Sequence, residues 1–90
     1  MDEKGQVTVE FFGVPRMRAG RAELSLPAGT VAELLAGIED SCPALSGLLR
    51  HGRLAPHYLL SMDGQHFVTD MRQEIRPGDR LLLLSADAGG

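Results

Sequence analysis

The strongest constraint on the fold is one helical stripe enclosed by strand patterns. Thr30-Val31-Ala32-Glu33 has the spacing of a capping box. In that motif the Thr30 hydroxyl accepts a backbone N–H at the helix start, and the Glu33 carboxylate accepts another. Val31, Leu34, Leu35 and Ile38 then recur at i, i+3, i+4 and i+7, forming one apolar face of a helix. Such a face has to lie across an apolar surface, and burying each of its large side chains contributes about 1.5–3 kcal/mol. Gly37 interrupts the stripe at a cost of about 0.5–1 kcal/mol relative to alanine. It marks a close approach of the helix to the surface beneath.

That surface reads as a sheet. Val7-Thr8-Val9-Glu10-Phe11 alternates apolar and polar residues, and Phe12 continues on the other face. Gly13, Pro15 and Gly20 punctuate a loop. Residues 21–26 alternate again, with Ala22, Leu24 and Leu26 on one face, so the two strands form a hairpin. Pro27-Ala28-Gly29 ends the second strand. After the helix, Pro43 opens a second short helical segment with Leu45, Leu48 and Leu49 inward and Gly52 as its C-cap. Residues 53–56 are a connector, and Tyr58-Leu59-Leu60-Ser61-Met62 is a strand. Asp63-Gly64 is a two-residue hairpin turn, because both positions tolerate positive φ, and residues 65–68 return as the partner strand. Residues 69–76 read as irregular, and Pro77-Gly78-Asp79 as a tight turn. The last strand, residues 80–85, carries four consecutive leucines, as expected of a strand covered on both faces or central in its sheet.

The expected architecture is an α+β roll: a mixed sheet of about five strands, one main helix on one face and a short second helix. The last strand is expected beside the first, in parallel. This order and proportion match the β-grasp, or ubiquitin-like, fold. Residues 1–84 would form the domain and residues 85–90 a C-terminal tail. Six extended residues reach about 20 Å at 3.3–3.6 Å each.

Composition removes several function classes. The chain has 90 residues, enough for one domain with a modest core. Its hydrophobic fraction of 43% and charged fraction of 23% are those of a soluble globular protein. No apolar run approaches the roughly 18 residues of a membrane span. Met1-Asp2-Glu3-Lys4 lacks the basic start and apolar stretch of a signal peptide, so a cytoplasmic location is expected and no membrane partner. A net charge of -3 argues against a nucleic-acid partner. Among the basic residues Arg16, Arg18 and Arg21 cluster in the loop of the first hairpin, where they either face solvent or meet an acidic partner. Cys42, the lone cysteine, rules out an internal disulfide and a cysteine-ligated cluster or zinc site within one chain. Near a helix start it is either a reactive thiol or a small half-buried residue. His51, His57 and His66 do not have the spacing of a helical metal pair, so no metal site is expected. The sequence shows no nucleophile–base pair, carboxylate dyad or phosphate-binding glycine loop, and the expectation is a protein that is not an enzyme.

The chain ends Ser85-Ala86-Asp87-Ala88-Gly89-Gly90. Two terminal glycines contribute nothing to a core and have the largest backbone freedom to lose on ordering. A side-chain-free end can pass through a narrow channel and offer its α-carboxylate to another protein's active site. The other reading is an end with no role.

Four stretches together carry a resemblance. They are Val9-Glu10-Phe11-Phe12-Gly13, residues 26–35 from Leu26-Pro27 through the capping box to Leu34-Leu35, Pro77-Gly78-Asp79-Arg80, and Ala88-Gly89-Gly90. In this order the chain resembles the ubiquitin-like sulfur carriers, as in the molybdopterin synthase small subunit and the thiamine-pathway sulfur carrier. The resemblance implies that Gly90 carries sulfur and Gly89 keeps the approach slim, while Ala88 and Asp87 enter the partner with them. It implies an adenylating enzyme that uses ATP and magnesium, then a sulfur donor that yields a thiocarboxylate, then a synthase large subunit or other sulfur acceptor. No permanently bound cofactor is implied, and every catalytic group belongs to the partners. The length is closer to the molybdopterin type than to the thiamine type. The tail departs from the prolines and aliphatics common in the family, and Asp87 adds a charge there, which leaves the partner's identity open.

Two other readings use the same residues. A protein modifier would use the same tail, but Lys4 is the single lysine, which disfavours lysine-linked chains. A β-grasp binding module would use the open sheet face or the arginine loop, with an inert tail. Phe12 and Leu83 are candidates either for an apolar docking patch beside the tail or for the core.

Overall fold

The computed structural model describes residues 5–86. Its elements run β1 (Gln6–Phe11), α1 (Val14–Ala19), β2 (Glu23–Pro27), β3 (Gly29–Thr30), α2 (Val31–Ser41), a 3₁₀ turn (Pro43–Leu45), β4 (Leu49–Arg50), β5 (Arg53–Leu54), β6 (Tyr58–Met62), β7 (His66–Phe67), β8 (Glu74–Ile75) and β9 (Arg80–Ser85). The main sheet has five strands in the order β2-β1-β9-β6-β7. β9 lies at its centre, parallel to β1 and antiparallel to β6. With α2 across one face this is the β-grasp arrangement, and the parallel pairing of first and last strands is as expected.

Register places the core. Val9 lies beside Leu81 and Leu24, and Phe11 beside Leu83, which in turn faces Leu60. All but the half-buried Leu24 are buried and meet the helix stripe of Val31, Leu34, Leu35 and Ile38. Gly37 lets the two layers close: a Cβ there would stand 3.2 Å from Leu26 Cδ2. The capping box of α2 is formed, with the Glu33 N–H donating to Thr30 Oγ1 at 3.2 Å and the Thr30 N–H to Glu33 Oε1 at 2.9 Å. The Val31 and Ala32 N–H groups donate to the carbonyls of Gln73 and Met71, both at 3.0 Å. The exposed donors of a helix start are thereby satisfied from two sides. Asp63 and Gly64 have φ of 52° and 67° and sit at the centre of a turn closed by the Gln65 N–H donating to Met62 O at 2.9 Å, but the register pairs Met62 with His66, so the connection from β6 to β7 has three residues rather than the two expected.

Several expectations are corrected. The segment read as a loop from Gly13 to Gly20 contains helix α1. Pro15 occupies its first turn, where a fixed φ and a missing N–H do no harm, and it is buried. Gly20 closes the helix in the left-handed conformation, its N–H donating to Arg16 O at 3.0 Å. β2 begins at Glu23, and Ala22 is exposed rather than on the inner face with Leu24 and Leu26. Gly52 is no C-cap. With His51 it makes the turn between β4 and β5, at φ of 77° and 51°. The stretch read as irregular contains β8, which pairs with β3 and ties that stretch to the start of α2. For β9 the second of the two expected arrangements holds: it is central in the sheet, with Leu81 and Leu83 buried and Leu82 and Leu84 half-buried on the open face.

Candidate functional site

The site suggested by the sequence is the end of the chain, and Asp87, Ala88, Gly89 and Gly90 lie outside the described residues. The described structure fixes where the chain approaches that end. β9 is the central strand of the five and is held on both sides, by β1 and by β6. Ser85 pairs with Tyr58, and the Ala86 N–H donates to the His57 carbonyl at 2.8 Å. The chain is therefore guided by the sheet ladder up to the last described residue.

Three elements surround this exit. Val14 and Arg18 of α1, with His57, Tyr58 and Ser85, line a depression of about 350 Å³. Arg18 Nη1 donates to the Tyr58 hydroxyl at 3.3 Å, which ties α1 to β6 across the exit. Beside it lies the open face of the sheet. Alternation from the buried Phe11, Leu83 and Leu60 puts Phe12, Leu84 and Leu59 in one row of that face. The next row holds Glu10, Leu82, Ser61 and Phe67. Phe12 is 58% exposed and Phe67 60%. The face turns polar at its far end, where Arg80 bridges Glu10 at 2.9 Å and Glu23 at 3.5 Å.

Of the two patch candidates, Phe12 is on the open face as the patch reading required. Leu83 is fully buried, and the leucines of the face are Leu82 and Leu84. The parity of the β1–β9 register decides this, since Leu83 pairs with the inward Phe11. Arg16 and Arg18 stand on α1 rather than in a loop, and Arg21 follows it. Cys42 is buried at the end of α2 and is packed in the core cluster, which corrects the half-buried placement inward. Among the described residues no group of three His, Cys, Asp or Glu side chains could hold a metal ion. No described helix is long and apolar enough to cross a membrane.

Among the polar contacts that the sequence reading missed is one made by Glu39. The half-buried Glu39 extends from the last turns of α2, and its Oε2 accepts from the N–H groups of Leu48 at 2.7 Å and Leu49 at 3.3 Å. It holds the segment after the 3₁₀ turn against the helix. Nothing in the local pattern around Glu39 signals a partner nine residues away.

No protein-family model matches the sequence, and no curated protein matches it. Solved structures do. Small archaeal modifier protein 1 (SAMP1) from Haloferax volcanii is similar with a TM-score of 0.80 and 23% identity, over 96% of this chain and 100% of that one. A putative molybdopterin converting factor, subunit 1, from Pyrococcus furiosus gives 0.72 and 20% over 90% and 97% of the two chains. Urm1 from Trypanosoma brucei gives 0.68 and 20% over 100% of both. At these identities the likeness establishes the β-grasp fold.

Proposed function

We propose that this protein is a sulfur carrier. Its C-terminal glycine is activated by a partner enzyme, converted to a thiocarboxylate and used to deliver sulfur in cofactor biosynthesis, in the molybdopterin type of pathway rather than the thiamine type. The observation that carries this reading is the course of β9. The chain runs through the centre of the sheet, stays hydrogen-bonded to Ala86, and has Gly89-Gly90 only three residues further on. The sheet thus fixes the point from which the chain continues toward Gly89-Gly90. A described neighbour, a molybdopterin converting factor subunit, supports the pathway type.

The chemistry requires little of this chain beyond that end. An α-carboxyl group is ionised at neutral pH and resists nucleophilic attack. The partner would join it to the α-phosphorus of ATP, releasing pyrophosphate. A sulfide-level nucleophile would then displace AMP and leave the thiocarboxylate on Gly90. Gly89, without a side chain, would let the chain lie in the partner's channel with Ala88 and Asp87 behind it. The catalytic groups, the ATP and the magnesium would all be the partner's, in a soluble, cytoplasmic setting. A synthase large subunit or another sulfur acceptor would receive the sulfur.

The test is exchange of labelled pyrophosphate into ATP by the adenylating enzyme. Exchange that depends on this protein, and that is lost when Gly89 and Gly90 are deleted, supports the reading. Exchange indifferent to that deletion overturns it. A modifier role is favoured by one observation, that SAMP1 is described as a modifier. It shares the activation step and differs in its product, a covalent conjugate to another protein.

A further inference from the structure

We infer that the segment from Phe12 to Arg21 is a docking surface for an acidic patch on the enzyme that activates the tail. This rests on the carrier reading and adds to it which face of the protein meets that partner.

Four large hydrophobic residues are exposed among the described residues, and three of them, Phe12, Val14 and Met17, lie in this one segment. Met17 is 79% exposed although it occupies a helix packed on the domain. Interspersed with them are Arg16, Arg18 and Arg21, all exposed. Among the described residues no carboxylate forms an ion pair with any of the three. Glu10 and Glu23 line a small groove with Arg16 and Phe12, but both carboxylates are engaged by Arg80. Aromatic, Met and Arg residues, with Lys absent, are the composition that distinguishes protein interfaces from ordinary surface. Arginine suits such a site because its planar guanidinium is weakly hydrated and pairs with carboxylates in a fixed geometry.

Position supplies the second part. Val14 and Arg18 line the depression at the exit of β9, and Arg18 reaches the Tyr58 hydroxyl across it. The Phe11 N–H donates to Ala22 O at 2.9 Å, which places Arg21 beside the Phe12 end of β1. The cationic and apolar groups therefore form a collar on one side of the exit. A partner that draws the tail into a channel has to press its channel mouth against this collar. The protein as a whole carries a net charge of -3, so an acidic partner would be repelled by the rest of the surface. The collar offers it the local opposite charge, which orients the approach.

The experiment measures KM for this protein in the pyrophosphate exchange reaction of its adenylating enzyme, with wild type, Arg16→Glu/Arg18→Glu and Met17→Ser. The reversed pair is expected to raise KM by at least about fivefold, since exposed ion pairs turn into like-charge contacts. Higher carrier concentration should recover much of the lost rate, and Met17→Ser should raise KM on its own. Wild-type KM should also rise several-fold between roughly 50 and 300 mM salt, as the Debye length shortens. That salt dependence needs no variant and decides the question if the reversed pair melts early. A KM unmoved by both charge reversal and salt overturns the inference while leaving the carrier reading intact. Absence of any exchange with wild type removes the carrier reading, and this surface with it.

Discussion

Replacing Glu39 by alanine should cost more stability than its half-buried position on a helix suggests. Its carboxylate is the acceptor for two consecutive backbone N–H groups, and that of Leu48, at 2.7 Å, belongs to a residue with no exposed surface. Hydrogen bonds to a charged group are worth about 1.5–3 kcal/mol, and a buried donor left unpaired costs about 1–3 kcal/mol. The longer contact to Leu49 adds less. Glu39→Ala is therefore expected to destabilise by about 2–3 kcal/mol. Glu39→Gln keeps one neutral acceptor and should lose about half as much. In a domain of this size each kcal/mol moves the melting temperature by about 4–8 °C. Thermal and urea unfolding followed by circular dichroism would show the two variants falling in that order. A loss below about 0.5 kcal/mol for Glu39→Ala would mean that water replaces the carboxylate, and the claim that Glu39 pins this segment would be wrong.

Three other substitutions probe separate parts of the structure. Gly29→Ala would bring a Cβ onto Glu33 Oε1, which can swing aside at the loss of its bond from the Thr30 N–H while the bond from the Glu33 N–H to Thr30 Oγ1 stays. Urea unfolding should then register a loss of at most about 1 kcal/mol, and a loss above about 2 kcal/mol would contradict a displacement confined to that side chain. Gly64→Val forces a β-branched residue to a φ of 67° in the Asp63-Gly64 turn and should cost about 1–2 kcal/mol in the same assay; wild-type stability would argue against a left-handed residue there. Gly90→Ala should leave the melting curve unchanged yet abolish protein-dependent pyrophosphate exchange, because its Cβ would crowd the adenylation site. Normal exchange by that variant would contradict the narrow-channel requirement.

What was legible in the sequence follows from how local each signal is. The α2 cap needs only Thr30 and Glu33 three residues apart, and the Asp63-Gly64 turn only two adjacent residues, so both stood out. The central place of β9 followed from four leucines in a row, but the parity that separates Leu82 and Leu84 from Leu83 is set by pairing with β1, seventy residues earlier. Helix α1 was missed because six residues give too short a period to detect, and because Pro15 reads as a breaker when its position relative to a helix start is unknown. The strands β3, β4, β5 and β8 have two residues each and no alternation at all. The tail was legible as a motif, whereas its surroundings at Arg18, His57 and Tyr58 come from three elements that only folding brings together. The arginine cluster was noticed in sequence without a position. Its relation to the exit depends on α1 being a helix docked beside β9.

The most direct measurement is the intact mass of the protein after incubation with its adenylating enzyme, ATP, magnesium and a sulfide donor, with the modified residue located by fragmentation. A gain equal to one sulfur replacing one oxygen, confined to Gly90, is the expected result. An unchanged mass, under conditions in which another carrier is loaded, would contradict the central claim and make Asp87 the first residue to replace.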